Sequence, residues 1–169
     1  MRSEIIELFD TELPSDAPER SAYRTYLMQF SWTVSMREGD QIFAELDDEF
    51  GGLQLPTQLA IQVIAALRAR QLECPAIVRT GSGQGNCVLL FRPAGMANAA
   101  MFPSMVALLR AGDQVMLPTG GPRSRVEWLS PLQSGDPNVA LPTAWTLARV
   151  IADLLRTRSG QTPVLTAAA

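Results

Sequence analysis

The segment that most restricts this chain is Arg79-Thr80-Gly81-Ser82-Gly83-Gln84-Gly85-Asn86, which runs directly into the apolar Cys87-Val88-Leu89-Leu90-Phe91. It stands between two short strand-like stretches, Ala76–Arg79 and Cys87–Phe91, so the chain must accommodate a strand, a wide glycine-rich connection and a second strand. Glycine at positions 81, 83 and 85 lets the backbone adopt positive φ and come close to a ligand. Thr80 and Ser82 supply hydroxyls, Asn86 an amide and Arg79 a positive charge. This is the chemistry that holds a phosphate, and it is equally the composition of a broad hairpin. Both readings stand at this point.

Residue types that are missing limit the chemistry further. The chain has no histidine, and all 14 of its basic residues are arginine. Without histidine, the side chain that titrates near neutral pH and the commonest metal ligand are absent, and serine–histidine or cysteine–histidine nucleophilic machinery is excluded. Without lysine there is no Schiff base and no Walker lysine. Catalysis would have to rest on carboxylates with a metal; the alternative is binding alone. Cys74 and Cys87 lack metal-ligand spacing and read as small core residues.

Charge is uneven. Residues 1–50 hold 12 acids and 4 arginines, and residues 51–169 hold 5 acids and 10 arginines. A basic body beneath an acidic N-terminal region favours anionic ligands for the former and a protein partner for the latter. The most membrane-like stretch, 94–109, is broken by Gly95, Asn98, Pro103 and Ser104 and is too short to cross a bilayer. The N-terminus lacks the pattern of a secretory signal, so a cytoplasmic, non-membrane protein is expected.

Periodicity predicts an α+β fold: a mixed or antiparallel sheet of about six strands flanked by about four helices. Helices are expected at Ser3–Phe9, Ala17–Phe30, Pro56–Leu72 and Leu141–Arg158, and Ala97–Arg110 has partly helical spacing. Strands are expected at 31–36, 41–47, 76–79, 87–92, 114–117 and 125–129, with 41–47 antiparallel to 31–36. Phe50–Leu55, with its Gly51-Gly52 pair, reads as a loop. Trp128 and Trp145 read as core aromatics. One α+β domain is expected over 1–158, with 1–38 its acidic helical part, followed by a disordered tail over 159–169.

The order of these segments resembles the bifunctional primase–polymerase domain of the archaeo-eukaryotic primase superfamily, over residues 40–155. Glu45-x-Asp47 stands where that family carries an acidic pair on a strand. Asp47 precedes Thr80 by 33 residues, close to the spacing of the family's Thr-x-Ser-Gly loop. Arg110-Ala111-Gly112-Asp113-Gln114-Val115-Met116-Leu117-Pro118-Thr119 follows its arginine–glycine strand. Val126-Glu127-Trp128 takes the place of its Tyr-x-Trp, and Leu141-Pro142 that of its last helix start.

The resemblance implies a nucleotidyl-transfer cleft. Glu45 and Asp47 would be ligands for magnesium or manganese. Arg79, Thr80, Ser82, Gly83, Gly85, Asn86, Arg110, Arg123 and Arg125 would be nucleotide or phosphate contacts converging on one groove. The chain also departs from the family. Val88 occupies the place of a histidine, Leu108 or Leu109 that of a third carboxylate, and Glu45 that of an aspartate. Two-metal transfer needs a fuller ligand set. The expected function is therefore a catalytically impaired, replication- or mobile-element-related module that binds nucleotide or DNA. The alternative is a protein-interaction domain that reuses the fold and docks through its acidic N-terminal region. Solvated edge for Glu45–Glu49 and ordinary surface arginines for 123 and 125 remain the plainer readings of those residues.

Overall fold

The computed structural model describes residues 17–29, 32–37, 40–80, 85–94, 98–131 and 141–159. The expected helix at Ser3–Phe9 and all of the expected tail at 159–169 except Ser159 lie outside the described residues, as do Ser82 and Gly83.

The chain is α+β, and its strands form two antiparallel sheets rather than one. Helix α1 (Pro18–Arg24) continues into a single π-helical turn, Thr25–Gln29. Strands β1 (Val34–Arg37), β2 (Gln41–Glu45) and β3 (Gly51–Pro56) precede helix α2 (Thr57–Arg68). Then come β4 (Ala76–Arg79), β5 (Asn86–Phe91), a 3₁₀ turn at Ala99–Met101 and the two-residue β6 (Ala107–Leu108). Strands β7 (Gln114–Leu117) and β8 (Val126–Ser130) lead to helix α3 (Ala144–Arg158). The small sheet has the order β1-β2-β7 and the large one β6-β3-β5-β4-β8.

Three layers follow from which side chains are buried together. On β5, alternation sends Cys87, Leu89 and Phe91 to one face, where they pack with Leu59, Val63, Leu67, Leu147, Val150 and Ile151 of α2 and α3. Leu90 goes to the other face, with Ile42, Ala44, Val115 and Leu117 of the small sheet. The large sheet is therefore the middle layer, and its central strand is buried on both sides. Leu89 is fully buried, so Leu89→Ala should cost about 2–5 kcal/mol. Burial raises the pKa of both thiols, that of Cys87 to about 12. Neither is a nucleophile near neutral pH.

Three expectations are corrected. The stretch read as a loop at 50–55 is β3, paired with both β5 and β6. Its glycines reflect crowding rather than turning. A Cβ at Gly51 would sit 2.8 Å from the Phe91 ring, and one at Gly52 would sit 2.8 Å from Leu109 Cδ1. The partly helical spacing at 97–110 yields only the 3₁₀ turn and β6; Phe102 and Val106 are buried, but Pro103 interrupts any helix between them. Trp145 is 70% exposed instead of buried, because α3 turns Ala144, Leu147, Val150 and Ile151 inward.

The small sheet is fastened by aromatics. Trp32 stacks on Phe50 at 4.4 Å and on Tyr26 at 5.7 Å, and Tyr26 meets Trp128 edge-on at 6.2 Å. The Tyr26 hydroxyl donates to the Pro118 carbonyl at 2.6 Å, and burial raises its pKa to about 12.

Candidate functional site

Antiparallel register decides which candidate residues meet. Gly51 pairs with Phe91 at one end of β3, and Pro56 pairs with Asn86 at the other. The glycine-rich connection begins after Arg79 and ends at Asn86, so it lies at the Pro56 end. Asp47 lies just before β3, at the Gly51 end. Six strand residues separate them, a span of roughly 17 Å. The acidic pair and the glycine-rich connection therefore stand at opposite ends of the large sheet.

At the loop end, Arg79 pairs with Val126 across β4 and β8, and one step on the Thr80 N–H donates to the Arg125 carbonyl at 2.9 Å. Side chains directly opposite each other share a face. Arg79 thus shares the face of Ile77, Val126 and Trp128, toward the small sheet, and Asn86 stands beside it on β5, one step from the Val78–Cys87 pair. Thr80 and Arg125 occupy the next row and therefore the opposite face, that of the helices. The two arginines flank one strand end from both sides. Arg79, Thr80, Asn86 and Arg125 are all exposed.

The α2 N-terminus adjoins this end. Thr57 donates its N–H at 2.9 Å and its hydroxyl at 2.8 Å to the Gly85 carbonyl. The end of the glycine-rich connection thereby satisfies one of the donors that a helix start leaves open. The β7–β8 connection is also internally braced. Thr119 N–H donates to Ser124 Oγ at 3.3 Å, and Ser124 Oγ donates to the Val126 carbonyl at 2.7 Å. Arg123 reaches Asp40 of the β1–β2 turn at 3.7 Å. With both side chains substantially in water, that pair adds little stability. Gly121 sits against the buried Glu19 of α1: a Cβ there would fall 1.7 Å from Glu19 Oε1.

At the other end, the carboxylates are engaged with backbone. Asp47 Oδ1 accepts from the N–H of Glu49 at 2.8 Å and of Phe50 at 2.7 Å, a local turn that aspartate favours. Asp113 Oδ2 accepts from the Arg110 N–H at 2.7 Å. The Leu46 N–H donates to the Asp113 carbonyl at 2.9 Å, and the Leu109 N–H to Gly52 at 3.0 Å, which ties Arg110 to the acidic end. Glu45 ends β2 opposite Gln114 and is exposed.

Among the described residues no group of three or more acidic or cysteine side chains is placed to hold a metal ion. With one Asp47 oxygen held by two N–H groups, Glu45 and Asp47 do not fit a two-metal site. The positions at which the resemblance implies a histidine and a third carboxylate are apolar in their surroundings too. Val88 packs toward the small-sheet core, and Leu109 lies against Gly52.

Of the sequence candidates, then, the structure groups Arg79, Thr80, Gly85, Asn86, Arg123 and Arg125 at one end, and Glu45, Asp47 and Arg110 at the other. Sequence reasoning missed Thr57, Ser124 and Glu19 as organisers of the loop end. Thr57 carried a signal, as a hydroxyl residue at a helix start after proline; Ser124 and Glu19 act through contacts distant in sequence. Compared with protein-family models, with curated proteins and with solved structures, the chain matches none.

Proposed function

We propose that this chain is a non-catalytic, primase–polymerase-like binding module that holds the phosphates of a nucleotide or nucleic acid at the loop end of its large sheet. One observation carries the reading: Arg79 and Arg125 flank the same strand end, joined through the Thr80 N–H to Arg125 carbonyl bond, beside the glycine-rich connection. Two guanidiniums on either side of a strand terminus, with the Asn86 amide beside Arg79, offer charge-assisted donors to phosphate oxygens. The carboxylates that transfer chemistry would need stand a sheet-length away. Asp47 organises a turn there instead.

The test is a titration with nucleotides and with labelled single-stranded DNA across a salt series, with and without manganese. Binding should weaken steeply with salt, because phosphate contacts release counterions. Manganese should leave affinity unchanged and produce no primer or chain extension. Absence of binding by the wild-type protein, or binding unchanged in Arg79→Ala/Arg125→Ala, overturns the reading.

A further inference from the structure

Helix α3 presents to solvent a face that its packing does not explain. Trp145 is 70% exposed, the other two tryptophans being buried or half-buried. Arg149, Ala152 and Arg156 follow at helical spacing and are likewise exposed. At 100° per residue the four positions fall within about 60° of one another, a single stripe running roughly 16 Å along the helix. Arg149 makes no ion pair or hydrogen bond among the described residues. Arg156 leans on Asp153, which also meets Arg70 of the α2 C-terminal turn at 3.9 Å. Asp153 is thus shared between two arginines, and Arg149, four residues on from Trp145, has no acidic partner among the described residues.

From this arrangement we infer that the outer face of α3 is a contact surface for single-stranded nucleic acid. A base stacks on the Trp145 indole, and the backbone phosphates run along Arg149 and Arg156. An exposed ring with a row of cations is the combination that sequence-tolerant strand binding uses. An anionic membrane would also attract the arginines. Insertion into lipid, however, needs a broad apolar face of leucine, phenylalanine and tryptophan, and this stripe offers one indole and one alanine. The surface is built from α3 residues alone, shares none with the loop end, and does not depend on the reading given for Arg79 and Arg125.

The experiment is a titration of the full chain with a deoxythymidine homopolymer, read by tryptophan fluorescence, with anionic phospholipid vesicles as a parallel arm. The homopolymer should quench the exposed Trp145 emission. Trp145→Ala should weaken binding about 5- to 150-fold, the range for losing one stacked base. Trp145→Phe should keep most of the affinity, because it keeps a ring. Arg149→Ala should lower the salt slope by about 0.7. These side chains are exposed, so the thermal midpoints of the variants should match wild type.

The inference is overturned if the homopolymer leaves the emission unchanged, if Trp145→Ala binds like wild type, or if vesicles shift the emission. The double variant Arg79→Ala/Arg125→Ala separates the two surfaces. Loss of binding there, with Trp145→Ala unaffected, would retain the loop end and discard α3; the reverse pattern would retain α3 and discard the loop end.

Discussion

Both ends of the large sheet carry charged side chains, and they commit them differently. At the Gly51 end, Asp47 and Asp113 accept hydrogen bonds from backbone N–H groups of their own turns. Each carboxylate there completes a local accounting of donors in a tight crossing between β2, β3 and β7. At the Asn86 end, the turns are completed instead by hydroxyls and carbonyls: Thr57 onto Gly85, Thr119 and Ser124 within their own turn, and Thr80 onto Arg125. The Arg79 and Arg125 side chains take no part in those turn-closing bonds, and both are exposed. At one end two aspartates serve the backbone, and at the other two exposed arginines flank a strand terminus. A sequence motif alone does not make this distinction, because an aspartate on a strand looks the same whether its oxygens face a metal or the next two amides.

The sharpest way to break the comparison is to remove the arginines. Arg79→Ala/Arg125→Ala should reduce affinity for single-stranded DNA about tenfold or more per arginine, from the 1.5–3 kcal/mol that a hydrogen bond to a charged group contributes. Thermal stability should hardly move, since both side chains are exposed. Equilibrium binding and a melting curve check the two halves of this statement.

The opposite end should respond in stability and not in binding. Gly51→Val forces a side chain into Phe91 and Pro93, whose atoms stand 2.8 and 2.9 Å from the Cβ position. It should cost about 1–3 kcal/mol of overpacking, measured by denaturant unfolding. Asp47→Ala frees two backbone donors and should cost about 0.5–2 kcal/mol, the range for losing a side-chain cap, with DNA affinity intact. The mildest change is Thr57→Val, which deletes one hydrogen bond to Gly85 while keeping the backbone bond. About 1 kcal/mol is expected, with a small loss of affinity as the glycine-rich connection loosens. An affinity loss in Gly51→Val or Asp47→Ala beyond that of the double arginine variant would invert the comparison.

Sequence periodicity was a good guide where local signals delimit a segment. Ala76–Arg79 and Gln114–Leu117 were legible because proline, glycine or charge bounds a short apolar run, and the stripe Ala60, Val63, Ile64, Leu67 announces α2. It failed where tertiary contact sets the residue type. Gly51-Gly52 looks like a turn, but glycine is present because Phe91 and Leu109 approach the strand. On α3 the apolar spacing admits more than one face, and only packing against α2 and the sheet decides that Ala144 and Leu147 go in and Trp145 goes out. The division of the strands into two sheets, and with it the sheet-length gap between Asp47 and Thr80, depends on pairings distant in sequence. The spacing of motifs along the chain suggested a single cleft that the register does not form.

The proposed division between the two sheet ends, with binding at the loop end and a structural role at the acidic end, rests on the contrast between Asp47 and the two arginines. The most direct measurement compares affinity for single-stranded DNA among wild type, Asp47→Ala and Arg79→Ala/Arg125→Ala, each with and without manganese. On that proposal Asp47→Ala keeps wild-type affinity, the double variant loses about a hundredfold or more, at about tenfold for each arginine, and manganese changes none of the three. Manganese-dependent binding that disappears in Asp47→Ala, with the arginine variant unaffected, would contradict it.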